Sequence, residues 1–459
     1  MSAAPVISLI PKRIEFLVIA KNADILSVCK DVAEHFEFRL EMCGAVEEIQ
    51  LNTRTESSPL MTLVEFDSAT SLQERQGILS HVREIFPRTQ IAVVVEGVEA
   101  AEDCEFIRGA GAHHFIHFQE IVGSSKLYFF AAVLIQGTYL PVPVTDIFPS
   151  TQVNFNAYHK LSLNQKFLPV LFAGFVFSDK KYRKLEAVKQ VYIRREDLDE
   201  YQKYIETYHD KTGAALKKRC RVVMMALMGL HCELMLLLTL DAEAAKKSLV
   251  GDKIQEFTDL ALSLANYLKD CSDVWNVISQ ALDFKFCYYE RSIYILAYSL
   301  QIAQKAGIAD LKTLIVSVLL ADLGLLDLPA AAYKNIQTKT ESQWSPFDVE
   351  KFRSHPMVSL NRVIFRDLEV STAVKSVIVC THERHDLQGF PNQVPSDKIP
   401  VEAQLIYFCE LLDRRVRASQ RDGIVSHDFV RKQVWEEEKV SLSRFSAEFL
   451  DKIEKVLIA

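Results

Sequence analysis

Thr381-His382-Glu383-Arg384-His385-Asp386-Leu387-Gln388-Gly389-Phe390-Pro391 sets five ionisable side chains in a row and then closes on a glycine, an aromatic and a proline. Imidazoles and carboxylates are ligands for borderline and hard cations, and a guanidinium offers a planar fork to phosphate. The glycine permits tight backbone geometry, and the proline fixes the path of the chain. This order of residues reads as a loop that carries chemistry. The segments before it read as helices, because apolar residues recur at i, i+3 and i+4 in Phe257–Leu268, Tyr289–Ala303 and Thr313–Leu320.

The stretch resembles the H-H-E-x-x-D-G-x-G-Y-P segment of bacterial HD-GYP domains, which hydrolyse cyclic di-GMP at a centre of two or three iron or manganese ions. It departs at Thr381, Leu387 and Phe390, which stand for the first histidine, the first glycine and the tyrosine. Leu319-Leu320-Ala321-Asp322-Leu323-Gly324-Leu325-Leu326-Asp327-Leu328-Pro329 lines up with the family's L-L-H-D-I-G-K-I-G-I-P. Asp322 is kept there, while the histidine is Ala321 and the phosphate-facing lysine is Leu325. Tyr288-Tyr289-Glu290-Arg291-Ser292 falls on the family's H-S-x-R-V, with Tyr288 for the histidine. One turn earlier, where trinuclear members carry a glutamate, stands Phe284. His355-Pro356 matches the family's H-P with Ser359 for a glycine, and Glu410 stands where a late metal-binding aspartate is expected.

The resemblance implies metal ligands at Asp322, His355, His382 and Glu410 and their loss at Ala321, Thr381, Tyr288 and Phe284. Activating a water between two ions needs more ligands than these four positions supply. No cofactor is therefore expected beyond one vestigial iron or manganese ion, and each surviving histidine has a competing reading as a hydrogen-bonded structural residue. Arg384 and Asp386 are candidate ligand-binding residues. Gly389, Phe390 and Pro391 are candidates for a partner surface, since in the family this loop is linked to contacts with diguanylate cyclase domains. A buried loop aromatic is the alternative. The resulting expectation is a bacterial, cytoplasmic signalling or scaffold protein whose inactive HD-GYP-like domain binds proteins or cyclic di-GMP. Two rivals remain: a weak metal-dependent cyclic di-GMP phosphodiesterase that also uses His385 or Asp386, and a nucleotide receptor in which Arg384 meets phosphate.

Towards the N-terminus the pattern changes. Phe16–Ala20, Met61–Phe66, Ile91–Val95 and His114–Phe118 read as strands, and Ala23–His35, Ser71–Phe86 and Ala100–Gly109 as the helices between them. The order resembles a response-regulator receiver domain. Its acidic pair, phospho-acceptor and lysine-proline fall on Ala20-Lys21, on the Glu65-Phe66-Asp67 cluster and on Phe118-Gln119. Without the acidic pair and the lysine, phosphotransfer lacks electrostatic support, so the resemblance implies a pseudo-receiver. Tyr139–Val144, Lys166–Phe177 and Gln190–Arg194 read as short strands, with prolines suited to sheet edges and aromatics between Phe155 and Phe177 suited to a core. The expected fold is multidomain α/β plus all-α. Its parts are a receiver-like parallel sheet over 1–135, a small β-rich module over 137–206, a helical connector over 207–273 and an HD-GYP-like helical domain over 274–459.

Composition agrees with a folded chain: 459 residues, 49% hydrophobic and 25% charged. A formal charge of -7 lacks the basic excess of a nucleic-acid binder, leaving Lys217-Lys218-Arg219 as a local patch for an anion. Nine cysteines without a C-x-x-C pair read as buried thiols in a reducing compartment. No secretion signal is expected at the N-terminus. Val222–Leu240 approaches spanning length, but His231 and Glu233 in its middle favour a buried helix, so no membrane span is expected.

Overall fold

The computed structural model describes residues 15–458 except 37, 50–58, 68, 88, 96–100, 125, 137–138, 162–165, 189, 195–196, 209–212, 240–246, 272–273, 276–277, 279–290, 329–331, 333–334, 337–340 and 422–426. Two compact units divide the chain: one runs to Ile135 and adds His159–Leu168, and the other comprises Gln136–Tyr158 and everything from Pro169.

The first unit is a parallel sheet of β1 (Phe16–Ile19), β2 (Leu40–Cys43), β3 (Met61–Glu65), β4 (Gln90–Val95) and β5 (His114–His117) in the order β2-β1-β3-β4-β5. β1 is buried at every position, as a strand covered on both faces requires. Helices α1 (Ala23–His35), α2 (Leu72–Ile85), α3 (Ala101–Gly109), α4 (Phe118–Gly123) and α5 (Lys126–Gln136) complete it. Local chemistry sets their starts: the Asn22 side chain accepts from the Asp24 and Ile25 amides, and Ser71 forms a reciprocal cap with Glu74. Strand β2 was not expected from the sequence. It is a half-exposed edge strand, Leu-Glu-Met-Cys, too short and polar to show a period. Phe118, expected to end the last strand, instead opens α4.

The small antiparallel sheet contains β6 (Tyr139–Pro143), β7 (Ala157–Leu161), β8 (Lys166–Leu171) and β9 (Gln190–Arg194) in the order β6-β9-β7-β8. Pro141, Pro143 and Pro169 lie on its two edge strands, where a missing N–H costs no ladder bond. The expected strand over Lys166–Phe177 stops at Leu171, and a short helix, α6 (Asp179–Glu186), follows. The aromatics divide accordingly. Phe155 and Phe177 are buried core residues, whereas Phe172 and Phe175 lie in the turn beyond β8 and are exposed, contrary to the core expected of them.

Helices α7 (Leu198–Tyr208), α8 (Gly213–Thr239) and α9 (Lys247–Asp270) follow. Lys218 does not offer its charge to an external anion. Its Nζ lies 3.5 Å from Oδ1 of buried Asp146, whose Oδ2 takes Arg221 Nη1 at 2.7 Å and the Tyr201 hydroxyl at 2.9 Å. Helix α8 buries His231, and Glu233 pairs with Lys253 of α9 at 3.0 Å. Among the described residues no helix is long and apolar enough to cross a membrane.

The C-terminal region is helical: α10 (Arg291–Ala306), α11 (Leu311–Ala321), α12 (Pro346–Phe365), α13 (Thr372–Cys380), α14 (Val401–Arg421), α15 (His427–Ser441) and α16 (Ala447–Ile458). Helix α10 is buried without a break from Arg291 to Ala303 and packs on α9, α11, α14 and α16. It is the axis of the domain. Asp310, Ser345 and Ser371 cap α11, α12 and α13 through their side chains, and Pro346 sits at the first helical position of α12, where it needs no N–H partner. Helix α13 ends at Cys380, immediately before the ionisable stretch.

Candidate functional site

Four helix ends or faces bring the expected ligand positions together. Asp322 closes α11, His355 lies mid-way along α12, His382 follows α13 and Glu410 lies in α14. His355 Nε2 is 3.8 Å from Asp322 Oδ1, and His382 Nδ1 is 3.6 Å from Glu410 Oε2. The two imidazole centroids are 4.9 Å apart. Phe284 and Tyr288 lie outside the described residues.

The imidazoles sit in an aromatic box. Phe352 is 4.9 Å from the His355 ring and 5.3 Å from the His382 ring, Phe390 stacks on His382 at 4.8 Å and 15°, and Tyr407 meets its edge at 5.2 Å. Burial disfavours the charged form, and it pushes His355 down to about 3 and His382 down to about 4. Both are neutral at physiological pH. His355 Nδ1 lies 2.5 Å from the Phe352 carbonyl oxygen, a contact that requires the proton on Nδ1 and leaves a bare lone pair on Nε2. That buried Nε2 has no hydrogen-bond partner. Asp322 is pushed up to about 6, by burial first and then by Glu410.

Glu410 is in a different state. Arg291 Nη2 lies 2.8 Å and Arg414 Nη2 2.7 Å from its Oε1. Burial alone would raise its pKa, but the Arg291 and Arg414 guanidiniums hold it well below the usual carboxylate range. Arg291 also reaches buried Asp413 at 3.2 Å, which Arg417 meets at 3.0 Å. Arg414 lies over the Phe352 ring at 5.6 Å. Neither Arg414 nor Arg417 belongs to the motif positions, although Glu410/Arg414 and Asp413/Arg417 are i,i+4 pairs on one helix.

The positions at which the sequence departs from the expected pattern have structural partners. Ala321 and Leu325 are buried among apolar neighbours, and the Thr381 hydroxyl donates to the Ile378 carbonyl at 3.0 Å. Ser359 accepts from Gly324 N at 2.8 Å and donates to the Ala321 carbonyl at 2.6 Å. A Cβ on Gly324 would collide with the His355 carbonyl, so the Asp322 turn and α12 meet backbone to backbone.

In the quoted loop, Arg384 forks onto Asp386 at 3.0 and 2.6 Å; the two candidate ligand-binding residues bind each other. His385 Nδ1 lies 2.7 Å from the Ser396 hydroxyl. Buried Glu383 accepts from the Asn392 and Val394 amides at 2.6 and 3.1 Å. A Cβ on Gly389 would lie 2.5 Å from Arg384 N, so only glycine fits. Phe390 is half-buried, turned towards His382 rather than standing free. With Gly389 and Pro391 it still lines a cleft of about 690 Å³, together with Trp344, Glu350 and Arg353.

These donors suit a two-ion centre poorly. Asp322 and the bare Nε2 of His355 could face one cation, but Glu410 is engaged by two arginines whose charge opposes a second. Among the described residues no three His, Cys, Asp or Glu side chains are arranged to hold one ion.

Residues 276–422 match the HD domain family. Among solved structures the chain is similar to Bd1817, an HDG"Y"P protein from Bdellovibrio bacteriovorus, at 18% identity and a TM-score of 0.45 over 70% of this chain and all of that one. No curated protein sequence matches the chain.

Proposed function

We propose that the HD domain is a non-hydrolytic relative of the HD-GYP cyclic di-GMP phosphodiesterases and acts by binding. The observation that carries this reading is the engagement of Glu410 by Arg291 and Arg414. Two fixed guanidiniums place positive charge on Glu410 inside the site, where it opposes the second metal ion that a two-ion centre needs. Ala321, Thr381 and Leu325 point the same way. Incubation with cyclic di-GMP and manganese or iron(II) tests it: no linear dinucleotide is expected. Metal-dependent product that disappears in Asp322→Ala would support the phosphodiesterase alternative instead.

In this reading the partner is a protein, such as a diguanylate cyclase domain, seated at the cleft beside Phe390 and Pro391. Arg353 in that cleft has no carboxylate partner among the described residues, which favours nucleotide binding as a second reading. A cyclic di-GMP titration with Arg353→Ala as control separates the two. Arg384 is a weaker candidate for phosphate, being held by Asp386.

The first unit acts in this proposal as a pseudo-receiver. Glu65, at the end of β3, accepts from the Lys21 and Asn22 amides at 2.8 and 3.0 Å, so a built-in carboxylate takes up donors beside the switch point of a β2-β1-β3 sheet. Asp67 Oδ1 accepts from Ala69 N at 3.1 Å. Small phosphodonors are expected to leave the protein's mass unchanged. A bacterial cytoplasmic setting fits the buried thiols of Cys29, Cys220, Cys380 and Cys409, each unpaired.

A further inference from the structure

The turn after β8 presents apolar side chains that the fold does not cover. Phe172 is 48%, Phe175 69% and Val176 62% exposed. The backbone beneath them is fixed: Gly174 N donates to the Val153 carbonyl at 2.7 Å, Val153 N to Phe175 at 3.1 Å and Phe177 N to Thr151 at 2.8 Å. Buried Phe177 anchors the base of the turn. A rigid turn thus holds two rings and a valine in water, an arrangement a soluble surface rarely keeps without use.

Helix α6 begins three residues after Val176 and carries Lys180, Lys181, Arg183 and Lys184, all exposed. Asp179 and Glu186 are its only carboxylates, and no carboxylate among the described residues pairs with any of the four cations. The helix is fastened beside the turn: the Tyr182 ring lies 5.9 Å from Phe177, and Lys181 Nζ reaches the Val170 carbonyl at 3.4 Å. In a chain of net charge -7, an unpaired cationic helix next to an exposed apolar turn is a local departure with its own chemical meaning. Cations beside inserted apolar groups match a surface of anionic headgroups over hydrocarbon.

We propose that this end of the small β module docks on an anionic lipid surface. Phe172, Phe175 and Val176 enter the boundary between headgroups and acyl chains, and Lys180, Lys181, Arg183 and Lys184 face the lipid phosphates. Aromatics among cations also suit single-stranded nucleic acid, but Val176, as exposed as the rings, has no stacking role and gains only from hydrocarbon.

Flotation of the full-length protein with vesicles tests the proposal. Binding is expected to phosphatidylcholine vesicles containing one-third phosphatidylglycerol, to weaken with salt, and to be absent with phosphatidylcholine alone. Phe175→Asp is expected to lower the partition about tenfold or more, and Lys180→Glu with Lys184→Glu by at least ~25-fold, at roughly fivefold per cation. Phe175→Leu should retain binding. These side chains are exposed, so unchanged melting temperatures will show that each variant folds. The proposal is overturned if phosphatidylglycerol vesicles fail to bind, if binding survives both the Asp and the Glu substitutions, or if the protein captures a single-stranded oligonucleotide and no vesicles.

Discussion

Arg414 and Glu410 stand one turn apart on α14, joined at 2.7 Å, and their pair closes the floor of the imidazole box. Arg291 reaches the same carboxylate from α10 at 2.8 Å, so the charge of Glu410 is balanced from two helices. A single ion pair on a helix surface contributes little, but a buried carboxylate stripped of a partner is costly.

Arg291→Leu removes a guanidinium shared by Glu410 and Asp413, both buried. A loss on the order of 3 kcal/mol in urea unfolding is expected. Adding Glu410→Gln to that variant should recover part of it. An unchanged midpoint in Arg291→Leu would mean that Arg414 and Arg417 suffice for the two carboxylates.

Ser359→Ala should cost about 1–3 kcal/mol, because the buried Gly324 N–H loses its acceptor. Ser359→Gly, the residue of the family pattern, should be no better than Ala. Hydrogen exchange at Gly324 will report the loss directly, rising in both variants.

Leu387 adopts a left-handed backbone, φ 60°, and its side chain is exposed. Glycine is the residue that adopts this conformation without a Cβ clash. A left-handed non-glycine residue carries about 1–2 kcal/mol of strain, partly offset by the entropy glycine loses on folding. Leu387→Gly is therefore expected to raise stability by up to about 1 kcal/mol, and a clear fall in melting temperature would show that the leucine side chain has a contact of its own.

Phe390→Ala exposes one face of His382. With the ring half-buried, the cost should be about 2 kcal/mol, below that of a fully buried phenylalanine. The imidazole of His382, now held at about 4, should move up towards its ordinary value, which NMR titration of its ring nitrogens will follow.

Burial holds His231 of α8 down to about 4. As pH falls from about 6.5 towards 4, the unfolded chain takes up a proton that the folded one refuses, so stability declines across that window. His231→Leu should flatten this decline in melting temperature between pH 7 and 4.5 relative to the wild type. An identical slope would place the acid sensitivity elsewhere.

The sequence disclosed most of what depends on local period. The β1, α1, β3, α2 and β4 segments lie within a residue or so of where alternation and helical spacing put them, and the parallel sheet follows from their order. Strand β2 was invisible because an edge strand of four half-exposed residues has no pattern to show. Among site residues, the motif order led to Asp322, His355, His382 and Glu410, and the fold does bring them into two close pairs. It gave no view of Arg291 closing over Glu410, because that contact spans two helices far apart in the chain. The sequence presents Arg384 as a candidate for phosphate because its fork onto Asp386, two residues away, depends on loop geometry that spacing does not reveal. The exposure of Phe172 and Phe175 was missed for a similar reason: composition alone does not distinguish a strand from the turn that ends it.

Glu383 grips the amides of Asn392 and Val394 from the other end of the quoted loop, which makes the segment a closed hoop with its fastening inside the protein. A hoop of that kind keeps its outline while its outward residues are exchanged. Exchanges at Leu387 and Gln388, both exposed, should therefore leave the path of the chain unchanged. The same fastening sets a limit: a residue inserted between Glu383 and Asn392 would have to bulge towards solvent at the Leu387–Gln388 tip, because the clasp fixes both ends of the hoop.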